Sequence, residues 1–533
     1  MVNVFVEEPG IELAVVRLHR PEERVELLDV NGAGLILGVV GTGAMGRGIA
    51  QLAAQAGITV RLFDSRPQAA EEARASVGAT FGALTAKGRM SEEDARSTMA
   101  RLTVVADEAS LAGCHVVVEA IVEDLRVKRE LFTRLEGIVG PKCLLATNTS
   151  SLSVTAIAAS CERPGRVGGF HFFNPVPLMK VVEVIEGART EPWVGEALVA
   201  LAKRLGHRPV RAADTPGFIV NHAGRGFGTE ALRILQEGVT SFDEIDCILR
   251  DAAGFRMGPF ELLDLTGLDV SHPVMESVYE QFYQEPRFRP SYVLRQRLAA
   301  GLLGRKSGRG FYAHEGGKQQ PVPAPAIPAG ERRPVWVAAD EPAWRDTLLS
   351  LVRAAGWFPD EGERPAPESL CLVAPLGRDA TTTSLALAVD PERTVAVDLL
   401  FGPDRRRTAM GTPVTQPAFL DSALALLSAD GTVVSRIHDS TGFVAQRVLA
   451  TVVNIACDIA QQRIASPEDI DAAVTLGLGY PRGPLAWGDA LGPRRLLKAL
   501  EAIHAASGDP RYRASPWLSR RARLGVSLLT PES

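Results

Sequence analysis

Cysteine is scarce and unpaired in this sequence. Cys114, Cys143, Cys161, Cys247, Cys371 and Cys457 are scattered through 533 residues without any C-x-x-C spacing, several of them inside apolar runs. That excludes a disulfide framework and a zinc site of the usual spacing, and reads as reduced, buried thiols in a cytosolic protein. Long apolar runs are missing too: no stretch reaches the about 18 residues of an ordinary transmembrane helix. Near the N-terminus Glu7, Glu8, Glu12 and Glu22 interrupt the short apolar groups, unlike a signal peptide, so the expected location is the cytoplasm. Nor is charge of one sign in excess. With 58 Lys and Arg against 63 Asp and Glu, the formal net charge is -5, which argues against nucleic acid or membrane as a partner. A local basic site for a phosphate stays open.

At roughly 150 residues per domain the length predicts three or four domains. Residues 1–34 carry no functional signal and are expected to be an extension packed on or beside the first domain. From Leu35 an apolar strand leads into Gly41-Thr42-Gly43-Ala44-Met45-Gly46 and a helix-like run, and a second strand ends at Asp64, 23 residues after Gly41. A strand, G-x-G-x-x-G, a helix and a following acid at this spacing form a dinucleotide site. Gly41 permits the tight turn, Gly43 lets the backbone approach a pyrophosphate, and Gly46 allows close helix packing. Amides at the helix start would hold the anion. Asp64 suits the ribose hydroxyls and would repel a 2′-phosphate, favouring NAD over NADP, a preference that Arg66 weakens slightly.

Residues 67–100 read as two helices joined around Gly88, with Thr80 and Lys87 on one helical face, either a solvated stripe or a contact surface. Cys114 to Glu123 reads as a buried strand ending in acids, with His115 expected as a core histidine. Another strand brings Asn148, Ser150 and Ser151 to the same edge, as helix caps or ligand contacts. In Gly168 to Ile185, two apolar runs flank Asn174-Pro175-Val176-Pro177. A hairpin centred near Pro177 would set His171 opposite Glu183, a general base beside an orienting carboxylate.

Together these pieces closely resemble the 3-hydroxyacyl-CoA dehydrogenase family over residues 35 to about 315. Matching segments are Gly41–Gly46, Glu119-Ala-Ile-Val-Glu123, Ala146–Leu152, His171-Phe-Phe-Asn-Pro-Val-Pro-Leu-Met-Lys180, Asp214-Thr-Pro-Gly-Phe-Ile-Val-Asn221, Met257–Asp264 and Lys306–Tyr312. The resemblance implies NAD-dependent oxidation of (S)-3-hydroxyacyl-CoA, with His171 as base, Glu183 as its partner, and Ser150 and Asn221 at the reacting end of the substrate. It carries NAD contacts to the glycine loop, Asp64, Glu123, Lys128, Ser150 and Lys306, and CoA contacts to Thr80, Lys87 and Ser150; no metal is implied. His222 departs from the family pattern, which has arginine after the asparagine.

The predicted architecture is an α/β Rossmann-type domain (35–213), an all-α domain (214–315), a Pro-rich linker (316–334), a small degenerate α/β domain (335–435) and a second all-α domain (436–533). The last rests on an internal repeat. Asp214–Asn221 matches Asp439–Gln446 and Gly254–Phe260 matches Gly479–Leu485, both at an offset of 225. Because Gln446 replaces the asparagine and nothing copies the His171 stretch, one active site per chain is expected. Either the two helical copies are expected to pair within the chain as family subunits would in a dimer, or the chain is expected to form a homodimer. A two-copy chain without a hydratase domain resembles bacterial enzymes acting on 3-hydroxybutyryl-CoA or 3-hydroxyadipyl-CoA. Two rival readings remain: a same-fold dehydrogenase of another hydroxy acid, which the intact His-Phe-Phe-Asn-Pro opposes, and a catalytically silent CoA- or NAD-binding protein, which the intact site residues oppose.

Overall fold

The computed structural model of the protein describes residues 28–323 and 326–532. Most of the expected N-terminal extension lies outside them. The first domain is built from β1 (Ile36–Val40), α1 (Ala44–Gln55), β2 (Thr59–Phe63), α2 (Ala69–Ala86), α3 (Glu92–Ala100), β3 (Leu102–Val104), β4 (Val116–Glu119), α4 (Leu125–Ile138), β5 (Leu144–Thr147), α5 (Val154–Ala158), β6 (Val167–Phe172), β7 (Val181–Glu186), α6 (Pro192–Arg204) and β8 (Arg208–Ala213). The strands form one sheet in the order β3-β2-β1-β4-β5-β6-β7-β8. Strands β4, β5 and β6 are buried along their whole length, as continuous apolar runs must be when helices cover both faces. β1 and β4 run parallel, and the order in which strands are added to the sheet reverses between them, so their carboxyl ends open a crevice.

His115 departs from expectation. The strand begins one residue later, and the imidazole sits exposed at its start, where Nδ1 accepts the Ile36 amide at 3.0 Å. The ring caps the strand edge instead of filling the core.

Beyond β8, α7 (Val220–Ala223) and α8 (Arg225–Gln236) begin the first helical domain. Its continuation ends in a two-stranded hairpin, His314–Glu315 with Lys318–Gln319, at the head of the predicted linker. A second sheet of six strands follows, with Arg406–Gly411 antiparallel to Thr394–Asp398. The helices from Ala445–Gln461 to Pro516–Leu524 complete the chain.

The repeat reaches further than the sequence disclosed. Adding 225 to β7, α6 and β8 lands on strand Arg406–Gly411, helix Pro417–Leu427 and strand Val433–Ile437. The second sheet is therefore a copy of the later part of the first, with side chains diverged and hydrophobic pattern kept.

The two helical copies share one apolar core. Helix α8 lies on Ala445–Gln461, close enough that a side chain at Gly226 would meet Ile455 at 3.0 Å. Across this contact the buried Glu230 receives Arg447 at 2.8 Å and the Tyr512 hydroxyl at 2.7 Å, while Arg447 also reaches Glu237 at 2.7 Å. Among the described residues no helix is long and apolar enough to cross a membrane.

Candidate active site

At the carboxyl end of β1 the glycine loop is shaped by what its residues lack. Gly41 has φ +89°, and a side chain there would sit 2.6 Å from the Ala120 carbonyl; one at Gly46 would strike the Gly41 carbonyl. Gly43, which caps α1, has open space where a side chain would begin, and Ala44 beside it is exposed. Backbone amides at an unobstructed helix start are what a pyrophosphate requires, so these residues fit a dinucleotide. Thr42 is buried and Met45 packs on the domain core.

Asp64 ends β2 beside the loop. Its Oδ2 accepts the Thr42 amide at 2.7 Å and hydroxyl at 2.9 Å, and Oδ1 accepts the Arg66 amide at 2.9 Å. Burial works to raise its pKa, but these hydrogen bonds, helped by the Arg66 charge, leave it below the usual carboxylate range. An ionised acid is thus held at the loop.

β4 and β5 deliver a network of buried charge. The Lys128 ammonium lies 2.6 Å from Glu119 and 3.2 Å from Glu123. Glu119 also accepts the Thr147 hydroxyl at 2.7 Å. Glu123 Oε1 gathers the Thr149 hydroxyl at 2.7 Å and the amides of Ser150 and Ser151 at 2.8 and 3.1 Å. Against the raising effect of burial, Lys128 and these donors hold the Glu123 carboxyl down. The network fixes the 148–151 loop: Glu123 sits at its edge, and Lys128, at 1% exposure, is enclosed beneath it.

The histidine hairpin forms as the sequence predicts. His171 pairs with Glu183 across the antiparallel β6 and β7, and His171 Nδ1 lies 2.6 Å from Glu183 Oε2. The other carboxylate oxygen accepts the amides of Ile219 and Val220 at 2.8 and 2.9 Å. Those amides are aimed at it by the turn before α7, where Gly217 has φ +76° and Phe218 φ +50°. A positive φ at a phenylalanine costs about 1–3 kcal/mol, a strain the surrounding packing maintains. Because an ionised carboxylate only accepts, Nδ1 carries the proton and Nε2 keeps a lone pair. Among the described residues Nε2 has no protein partner.

Asn221, one residue past Val220, donates from Nδ2 to the Ser150 carbonyl at 3.2 Å. The structure thus brings His171, Glu183, Ser150 and Asn221 to one sheet edge. Asn148 joins them, its Oδ1 accepting the Phe172 amide at 2.8 Å. Asp214 ties Ser153, Val154 and Thr155 to the start of the helical domain.

Three stretches of the sequence match two family descriptions: residues 36–215 match "3-hydroxyacyl-CoA dehydrogenase, NAD binding domain", and residues 217–314 and 442–527 match "3-hydroxyacyl-CoA dehydrogenase, C-terminal domain". The chain belongs to the 3-hydroxyacyl-CoA dehydrogenase family. It is 38% identical over 91% of its length to 3-hydroxyadipyl-CoA dehydrogenase of Escherichia coli, covering 97% of that protein. Its first half is 40% identical to a probable 3-hydroxybutyryl-CoA dehydrogenase of Deinococcus radiodurans, over 52% of this chain and 99% of that protein. A crystal structure described as 3-hydroxybutyryl-CoA dehydrogenase from E. coli superposes with a TM-score of 0.80 at 37% identity, covering 92% of this chain and 98% of that one. The separate match at 442–527 marks the helical domain characteristic of the family as present twice.

The remaining expected residues of the 3-hydroxyacyl-CoA dehydrogenase pattern lie further out. Thr80 and Lys87 sit exposed on α2 and at its end, the Thr80 hydroxyl bonded back to the Ser76 carbonyl at 3.0 Å. Lys306, in the helical domain, pairs with Asp269 at 2.5 Å. His222 fills an aromatic pocket, its ring 4.8 Å from Phe282 and 5.1 Å from Phe288. Burial, and then the charges of Arg287 and Arg225, push its pKa down to about 3, so it packs neutral where the family has arginine.

In the second copy the corresponding ground is filled from within. Gln446, at the position of Asn221, is fully buried; its Nε2 donates to the Pro375 carbonyl at 3.3 Å and to Asp398 at 2.9 Å, and its Oε1 accepts the Gly377 amide at 2.7 Å. Pro375 stands 225 residues after Ser150.

Proposed function

We propose that the chain oxidises (S)-3-hydroxyacyl-CoA to 3-oxoacyl-CoA, with NAD as the redox partner and a single active site in the first half. The observation that carries this reading is the 2.6 Å His171–Glu183 pair, anchored by the amides that immediately precede Asn221. His171 Nε2 takes the proton of the substrate hydroxyl as the carbon–hydrogen bond breaks. Glu183 fixes the tautomer and stabilises the imidazolium that forms. Asn221 and Ser150 orient the substrate oxygen beside that nitrogen. When bound, the nicotinamide supplies the hydride acceptor. The glycine loop holds its pyrophosphate, Asp64 favours NAD over NADP, Glu123, Lys128 and Lys306 support the cofactor side, and Thr80 and Lys87 offer an exposed face to the CoA moiety.

The names of its E. coli relatives suggest 3-hydroxybutyryl-CoA or 3-hydroxyadipyl-CoA as substrate. NADH-dependent reduction of acetoacetyl-CoA, followed at 340 nm, tests the reading. His171→Gln is expected to lower kcat by about 10²- to 10⁴-fold. Full activity in that variant would overturn the mechanism.

A further inference from the structure

Arg225, partly exposed as a residue, differs in its partners from the buried arginines Arg447, Arg287, Arg166 and Arg407. Arg447 pairs with Glu230, Arg287 with Asp458, Arg166 with Glu136, and Arg407 with Asp430. Arg225 pairs with no carboxylate among the described residues. Its Nε donates to the Asn221 carbonyl at 2.8 Å, and its Nη1 is buried without any hydrogen-bond partner. Arg225 is partly exposed as a residue, but this enclosed nitrogen is shut off from water and has no counter-charge beside it, a cost that is relieved when an anion binds. Burial brings its pKa down to about 10, opposed only by the nearby Tyr480.

Tyr480 supplies a second unsatisfied donor. It comes from the duplicated half, at the position matching Phe255, and its ring stands 5.0 Å from Phe255 and 5.6 Å from Phe227. Its hydroxyl is also buried without a partner. Arg225 and Tyr480 are close enough to perturb one another's proton affinity, yet they are not hydrogen-bonded to each other. Burial keeps the phenol protonated and therefore a donor.

Both donors lie just beyond the residue that addresses the reacting end of the substrate. Arg225 follows Asn221 by four residues, just over one helical turn and about 6 Å along the axis. A short acyl chain running past Asn221 would bring its far end there. A planar fork and a hydroxyl suit a carboxylate, which accepts two parallel bonds from the guanidinium and a third from the phenol.

We propose that Arg225 and the Tyr480 hydroxyl form a carboxylate subsite that selects 3-hydroxyacyl-CoA substrates whose acyl chain ends in a second carboxylate. The subsite rests on the dehydrogenase reading above and gives the duplicated half a part in specificity. It is tested by the ratio of kcat/KM for 3-oxoadipyl-CoA to that for acetoacetyl-CoA, measured with NADH on the full chain. The wild-type protein is expected to favour the dicarboxylic substrate. Arg225→Met should cut that ratio by about 10- to 100-fold, chiefly by raising KM for 3-oxoadipyl-CoA, and Tyr480→Phe by about 3- to 10-fold. Tyr480→Phe removes a single oxygen and carries the test alone if Arg225→Met does not fold. A wild-type protein that reduces both substrates equally well, or a ratio unmoved in Tyr480→Phe, would overturn the subsite and leave the dehydrogenase reading intact. A wild-type protein that reduces neither substrate would instead strike the dehydrogenase reading.

Discussion

His171 and Glu183 face one another across two antiparallel strands, and the free oxygen of Glu183 is held by the backbone of the segment leading to Asn221. One carboxylate therefore couples His171, the proposed base in the Rossmann-type domain, to the segment that carries Asn221, the proposed substrate contact in the helical domain. Glu183→Gln keeps the size but removes the charge and can present an N–H to Nδ1. The expected outcome is a fall in kcat of about 10⁴-fold, as when other His-acid pairs lose the acid. NADH affinity, read by fluorescence titration, should change little. A kcat within tenfold of wild type would show that Glu183 is only a packing residue.

Asp64 offers the means to test cofactor choice. Its carboxylate is ionised and fixed at the glycine loop through Thr42. Asp64→Ser removes the charge that would repel a 2′-phosphate, and Arg66 then stands nearby to receive one. The kcat/KM ratio for NADP over NAD is expected to rise by at least about tenfold, the effect of about 1.4 kcal/mol. An unchanged ratio would place the discrimination elsewhere.

The local parts of this design were legible in the sequence. The glycine loop, Asp64 and the His171–Glu183 pairing follow from short-range rules: strand–turn–helix spacing, and a turn flanked by two apolar runs. What stayed hidden depends on distant parts of the chain meeting. Nothing in the spacing shows that Glu123 would gather the Thr149 hydroxyl and the amides of Ser150 and Ser151, or that Lys128 would be enclosed between Glu119 and Glu123. The copied sheet escaped notice because its side chains diverged while its strand pattern stayed. Arg225 carries no motif at all; it becomes visible only once the structure shows that no carboxylate among the described residues pairs with it.

The Lys128 network predicts a stability effect distinct from catalysis. Lys128→Met would leave Glu119, buried completely, without its 2.6 Å partner and would release Glu123 as well. Removing one member of a buried ion pair typically costs about 3–5 kcal/mol. Chemical denaturation should show a midpoint lowered accordingly. Glu119→Gln combined with Lys128→Met, which removes both buried charges, should recover part of the loss. A single mutant as stable as wild type would mean that water reaches the pair.

His222 predicts how stability depends on pH. Its pKa in the folded state is about 3, against about 6.5 in an unfolded chain. Above pH 6.5 the ring is neutral in both states and no penalty arises. As pH falls from 6.5 toward 3, the unfolded chain binds a proton that the buried ring refuses, so stability declines by about 1.4 kcal/mol per pH unit. At pH 5 the loss from this residue is therefore about 2 kcal/mol. His222→Leu removes the titrating group while still filling the pocket beside Phe282 and Phe288. Urea midpoints measured at pH 7.5 and 5.0 should fall further for wild type than for the variant, by an amount equivalent to about 2 kcal/mol. Equal falls in the two proteins would mean that the ring is reached by solvent or accepts its proton in the folded state.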